Sequence, residues 1–356
     1  MANGNLTGVM NRINKLLILM ALIVAFASCS KTELTDNGNN SVETPSGGSD
    51  NQPSEEVTEF RISMQVAESS KSSRASVDEN LPANGGQLQV RWDSGDKVRM
   101  MVGSSADDVK ACDFSLVGGS SMGLGSFEYV GEEVQTNYYY GIYPPMEIGS
   151  NGEVQLNVPI DGTIRQAAVD DSRHLGKYRP MYAAPVRNAA GGNVLIGVVF
   201  KHLTSLIIFK VTNSTDETFN LISIELSTSD GKTVFYSSAS FNPQNQTEAV
   251  TDGSPSASVA FGFDGNGMQV TSQEMKKAYL PVLPTDDFSS SQLRVKAVTD
   301  KGEFITDIPA AASQTLKRFQ AGSYCIFNLK KTTTGITVGM EVQGWEDGEI
   351  VDVPIL

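Results

Sequence analysis

Residues 58–66 read Thr-Glu-Phe-Arg-Ile-Ser-Met-Gln-Val. Phe60, Ile62, Met64 and Val66 fall on one side of an extended chain, and Arg61, Ser63 and Gln65 on the other. That period of two is the signature of a half-buried strand. A polar, Ser-rich stretch follows, AESSKSSRASVDENLPANGG, with Arg74 in its middle, and then Gln87–Val90. Nothing in this stretch has an apolar pattern that would bury it, so it is expected to be an exposed loop, open to proteases. The chain therefore begins its fold with one strand on a cleavable tether, and such a strand is separable from a finished fold.

Working outward, the same signature recurs. Leu88, Val90 and Trp92 alternate with polar residues, and the turn Asp93-Ser94-Gly95-Asp96 leads to Val98, Met100 and Val102. Ser126–Val130, Asn137–Tyr143 and Val154–Val158 follow, separated by Gly- and Asn-rich turns. Val194–Phe200 and Leu203–Val211 are nearly continuous apolar runs, short enough for fully buried strands. Further strand-like segments run from Leu221–Leu226 and Val234–Ser237 to Tyr324–Leu329 and Ile336–Val342. Residues 163–180 and 311–320 have room for a helical turn or two, and no longer helix is expected after the N-terminal segment. The pattern predicts an all-β protein of two tandem β-sandwich domains, 58–203 and 204–356.

The N-terminus is an address. Arg12 and Lys15 precede an apolar run, Leu16–Ala27, and then Ser28-Cys29-Ser30. A basic segment, a short apolar core and small residues describe a secretory signal over 1–28. Ala27-Ser28-Cys29 is similar to the end of a bacterial lipobox, which implies cleavage before Cys29 and lipid on its thiol. Residues 29–57 hold almost no apolar side chain and are expected to be a flexible tether.

Composition narrows the function. A net charge of -14 with no basic stripe argues against nucleic acid as a partner. Only two His are present, His174 and His202, and three Cys without metal-type spacing, so no metal site and no cofactor are expected. Cys112 and Cys325 are read as small buried hydrophobes in different domains, with a disulfide between them as the alternative. Gly119-Ser120-Ser121-Met122-Gly123 matches G-x-S-x-G but runs on toward a strand and not a helix, so a hairpin loop is the better reading. Asp107-Asp108, Glu132-Glu133 and Asp286-Asp287 are adjacent pairs, which face opposite ways on a strand and cannot share an acid/base site. Asp264-Gly265-Asn266-Gly267 has the start of a calcium loop without its later ligands and reads as a turn. Tyr138-Tyr139-Tyr140 with Tyr143 is the one visible aromatic platform, although alternation would send half of it into the core. No catalytic residue is assigned and no enzyme is expected.

Several landmarks stand in order: Cys29; Trp92-Asp93-Ser94-Gly95-Asp96 with Val98; Gly141-Ile142-Tyr143-Pro144; Phe200-Lys201-His202-Leu203; Ala278-Tyr279-Leu280-Pro281; Phe319-Gln320-Ala321-Gly322-Ser323-Tyr324; and Trp345. In this order the chain resembles the fimbrillins of Bacteroidetes, the Mfa-like major fimbrial subunits of type V pili. The resemblance implies two transthyretin-like β-sandwich domains and a cell-surface, outer-membrane location as a lipid-anchored precursor of an adhesive fimbrium. It also implies a trypsin-like maturation protease that cuts between Arg74 and Ala75, with Lys71 and Arg61 as the other basic candidates. Phe60, Ile62, Met64 and Val66 would leave with the removed strand, at ~1.5–3 kcal/mol of burial each. The groove would then take a strand from another pilin subunit. In this chain the candidate donors are Thr333–Val342 and the apolar tail with Ile350, Val351, Val353, Ile355 and Leu356. If the tail pairs within its own domain, an anchor or tip subunit is implied and not a shaft one. The alternative reading is a surface lipoprotein that does not polymerise and binds a glycan or host protein.

Overall fold

The computed structural model describes residues 60–66, 76–77, 90–118, 125–168, 170–246, 249–344 and 350–353. These are built almost wholly of strands. The first sheet has eight strands in the order β11 (Val194–Val198), β1 (Phe60–Val66), β6 (Gly125–Gly131), β5 (Asp108–Gly118), β4 (Lys97–Ser105), β7 (Tyr138–Tyr143), β10 (Met181–Arg187) and β12 (Phe200–His202). Its two terminal strands, β11 and β12, are consecutive in the chain with only Val199 between them. The sheet thus curls until its ends share one stretch of backbone. Inside the curl lie Ile62, Met64, Trp92, Val98, Met100, Val102, Phe114, Phe127, Tyr139, Leu195 and Phe200, all at most 1% exposed. The alternation of β4, with Val98, Met100 and Val102 buried, is the period of two read from the sequence.

The second half holds a larger core. One sheet runs β19 (Met275–Val282), β13 (Ser205–Asn213), β22 (Ser323–Lys331), β23 (Ile336–Gly344) and β24 (Ile350–Val353). A second runs β21 (Gly302–Asp307), β20 (Leu293–Thr299), β14 (Phe219–Thr228), β17 (Ser258–Phe263) and β9 (Asp161–Gln166), with β18 (Met268–Val270) beside β14. Phe209 of the first stacks at 5.8 Å on Phe261 of the second, so the two sheets face each other across one core. A third sheet joins β16 (Val250–Asp252), β15 (Ser238–Phe241) and β8 (Val154–Asn157), and β2 (Ser76–Val77) pairs with β3 (Val90–Arg91). Two short helices, α1 (Leu175–Tyr178) and α2 (Ala310–Leu316), lie where the sequence leaves room for a turn or two.

Several expectations are revised. The run Val194–Phe200 is not one strand: Gly197, at φ +68, bends it, and its ends serve opposite edges of the curled sheet. β8 and β9 precede the expected join at 203/204, yet they pair with β15 and β17 and bury Val154, Leu156, Val158 and Ile164 in the second core. Val234–Ser237 makes only an isolated bridge, Phe235 to Ser256, and the strand there is β15. β5 escapes the sequence reading because only Cys112 and Phe114 of its eleven residues are buried, which leaves too short an alternation to detect. Cys112 and Cys325 are both buried, in separate core clusters and not joined by a disulfide, which removes the disulfide alternative.

Candidate functional site

The first strand is not at an edge. β1 lies between β6, antiparallel, and β11, parallel. Seven consecutive residues of β1, Phe60 to Val66, pair with Gly131 to Gly125. On the other side Ser63, Met64 and Val66 pair with Val194, Leu195 and Val198, and the register shifts between Met64 and Val66. The occupant of this slot therefore completes two ladders at once, and each wall alone is an unpaired edge.

The inward face of β1 agrees with the alternation, with one adjustment. Ile62 and Met64 are fully buried, and their burial contributes about 3–6 kcal/mol together. Phe60 is only half-buried and packs on the margin of the cluster, so the expectation that it is a fully inward side chain is corrected. The side chain of Val66 lies outside the described residues. On the outer face Arg61 donates to Glu128 of β6 at 3.1 Å. Both partners of that pair reach solvent, so it orients the strand more than it stabilises it.

The floor of the slot is Trp92. Its ring makes edge contacts with Phe127 at 4.9 Å, Tyr143 at 5.2 Å and Phe200 at 5.8 Å. It passes directly beneath Gly125, where an added Cβ would stand 2.6 Å from the indole Cδ1 and 2.7 Å from Phe127 Cε2. The Trp-x-x-Gly-Asp motif thus has a structural meaning. The Asp93 amide donates to Asp96 Oδ2 at 2.7 Å, and the Tyr143 hydroxyl donates to Asp96 Oδ1 at 2.9 Å. The carboxylate ties the turn that presents Trp92 to the strand that packs against it.

Burial pushes the Asp96 carboxyl up to about 6, against the pull of its two donors. Burial also pulls His174 down to about 4 and His202 well below its ordinary value, so both imidazoles are neutral near pH 7. Below pH 6.5 the unfolded chain binds protons at these His residues while the folded one does not, so acid destabilises the fold through them. Asp96 acts in the opposite sense. Folded Asp96 holds its proton more tightly than unfolded, so its contribution falls as pH rises from about 4 to about 6 and is constant above. Asp96→Asn removes this term. The stability of the native chain minus that of Asp96→Asn is expected to drop by about 1–2 kcal/mol from pH 4 to pH 6 and then level off. Urea midpoints across pH 4–7 measure it, and parallel curves for the two proteins would contradict the assignment.

Other sequence candidates fall into structural roles. Tyr138, Tyr139, Tyr140 and Tyr143 are all at most 5% exposed, because β7 is covered on both faces: Tyr139 and Tyr143 join the first core and Ile142 the second. These tyrosines therefore form no surface platform, and burial extends to all four where alternation placed only half of them in the core. His174 Nε2 lies 2.8 Å from the Tyr279 carbonyl, and His202 packs against the buried Arg179. Asp264–Gly267 closes a turn through Gly267 N–H to the Asp264 carbonyl. Glu132 pairs with Lys110, and Asp286 accepts from the Tyr236 hydroxyl. Among the described residues no three His, Cys, Asp or Glu side chains gather as a metal site would require. Ile350, Val351 and Val353 lie in β24, paired with Gln343, Val342 and Met340 of the same chain. Cys29, Lys71, Arg74, Ala75, Gly119–Gly123, Ile355 and Leu356 lie outside the described residues.

The sequence from 89 to 345 matches the profile of the fimbrillin-like family. The chain belongs to that family. Among solved structures, a candidate cell adhesion protein of Bacteroides uniformis is similar at 14% identity and a TM-score of 0.53, over 81% of this chain and 98% of that one. A candidate cell adhesion protein of Bacteroides ovatus is similar at 15% identity and a TM-score of 0.52, over 83% and 98%. At such identities these two speak for the fold of the fimbrillin-like chain alone. No curated protein matches it. Membership supports a pilus subunit.

What the sequence did not disclose is the far wall of the slot. β11 meets β1 across 130 residues of chain, and no local pattern announces a pairing at that separation. The one available signal was Gly197, a lone glycine inside an apolar run.

Proposed function

We propose that this fimbrillin-like chain is a pilus subunit exported as a lipoprotein through Cys29, cut between Arg74 and Ala75, and polymerised when a strand of another subunit replaces β1. The observation that carries this reading is the two-walled slot. Among the described residues, β1 is the first element and the only one lost if the chain is severed at Arg74, since β2 begins at Ser76 and pairs with β3. Its departure uncovers an apolar floor and two unpaired ladders, a combination that favours addition of an extended strand with alternating apolar residues. The burial of the tyrosines weighs against the alternative of a glycan-binding lipoprotein, which needed them exposed.

β24 favours a refinement. A tail that already serves as an edge strand of its own sheet is engaged by one ladder of four pairs. Such a subunit accepts a strand more readily than it donates one, which fits an anchor or tip position.

The test is the N-terminus and mass of the protein sheared from cells, compared with Arg74→Ala. A start at Ala75 without lipid is expected for the native chain, and a lipidated start at Cys29 with loss of multimers for the variant. Multimers of normal length from Arg74→Ala would refute the cleavage assignment.

A further inference from the structure

β11 is an edge strand whose only strand partner among the described residues is β1. On that account it should loosen when β1 leaves, and the slot should lose a wall. The structure holds β11 by a separate route. At the bulge, Ile196 has no partner in the β1 ladder. The Tyr139 hydroxyl, reaching across the core from β7, supplies both missing bonds: it donates to the Ile196 carbonyl at 2.6 Å and accepts from the Ile196 amide at 3.0 Å. Tyr139 is fully buried. The segment leading into β11 is held from the same side, by Thr136 Oγ1 to the Gly192 carbonyl at 2.5 Å and by the Asn188 amide to the Asn137 carbonyl at 2.8 Å. After β11 the chain passes into β12, which pairs with β10. None of these contacts involves β1.

We propose that the Tyr139 hydroxyl is the positioning group that keeps β11 in place as the parallel wall of the slot while the slot is empty. This rests on the reading that β1 is replaced. With the hydroxyl, an incoming strand meets two preset ladders. Without it, the amide and carbonyl of Ile196 lose the two bonds that tie the bulge to β7, and in an empty slot that amide turns to water and β11 is released more readily. Binding must then recover the wall before it can use it.

Tyr139→Phe keeps the ring and removes only the hydroxyl. The test uses protein cut after Arg74 and freed of its first strand, with a labelled synthetic peptide of residues 58–67 as the probe. Exchange of the Ile196 amide is expected to stay slow in the empty native protein and become fast in empty Tyr139→Phe, while in uncut native protein it is slow. Peptide affinity is expected to fall tenfold or more in the variant. Equal protection and equal affinity would overturn the role of Tyr139 and leave strand replacement standing. Native cut protein that neither releases β1 nor binds the peptide would overturn strand replacement, and the role of Tyr139 with it.

Discussion

Ile62→Asp is expected to expel the first strand from the uncut chain. Ile62 is fully buried in the middle of β1, opposite Tyr129 of β6. The substitution removes an apolar side chain worth ~1.5–3 kcal/mol and asks a carboxylate to sit among Met64, Phe127 and Leu195. An unpaired buried charge carries a penalty of several kcal/mol more. Together these match or exceed the roughly 3–6 kcal/mol that Ile62 and Met64 contribute to holding β1. The strand leaves, and the precursor carries an empty slot without having been cut. Ser63→Thr, one position along on the exposed face, keeps the hydroxyl and is the control; it should change stability by no more than ~0.5 kcal/mol. Limited proteolysis and denaturant unfolding report both variants. Native peptide 58–67 added in trans should restore protection to Ile62→Asp and have no effect on the control. An Ile62→Asp protein as stable and as protected as the native one would mean that β1 does not fill this core.

Trp92→Ala is expected to lower stability by ~3–5 kcal/mol, the range for losing a large buried aromatic. Here the loss falls on three edge contacts at once, with Phe127, Tyr143 and Phe200. Those residues come from β6, β7 and β12, which the indole joins across the curl of the first sheet. Collapse is hindered because Gly125, directly above, has no side chain to move into the void. Trp92→Phe refills part of the volume and should recover about half of the loss. The consequence for assembly is separate from stability. With its floor gone, the slot no longer fixes which residues of an incoming strand point inward, so affinity for peptide 58–67 should fall even at temperatures where the variant is folded. A loss below ~1 kcal/mol in denaturant unfolding would exclude Trp92 as the floor.

Both expectations bear on how assembly is kept from starting early. β1 is bound through two ladders and two fully buried side chains, so the precursor has no open edge at the slot. Cutting the tether breaks none of these contacts. It changes only the concentration at which β1 meets its site, from that of a tethered segment to that of a free peptide. On the proposed function, a competing strand of similar pattern then displaces it by mass action. On the proposal above, the wall held by Tyr139 keeps the vacated site in the shape the competitor needs.

The sequence by itself determined the local facts. The period of two in Phe60–Val66 assigned Ile62 and Met64 to the interior and Arg61 and Ser63 to the exterior, because the pleat of a strand alone sets that alternation. The Trp92–Asp96 motif, the all-β class and the shortness of both helices were legible for the same reason: each depends on residues a few positions apart. Tertiary structure decided which strands meet. Nothing near residue 63 announces that its parallel partner is residue 194, or that residues 154–166 serve the second core. It also decided how many faces are covered. Alternation exposes every second tyrosine of Tyr138–Tyr143 on a one-sided sheet, but β7 has a core on either side and all four are buried. The slot around β1 is a property of that second kind. A strand's own residues fix which side chains it buries, while the walls it lies between come from segments far along the chain, brought together only by the closing of the sheet.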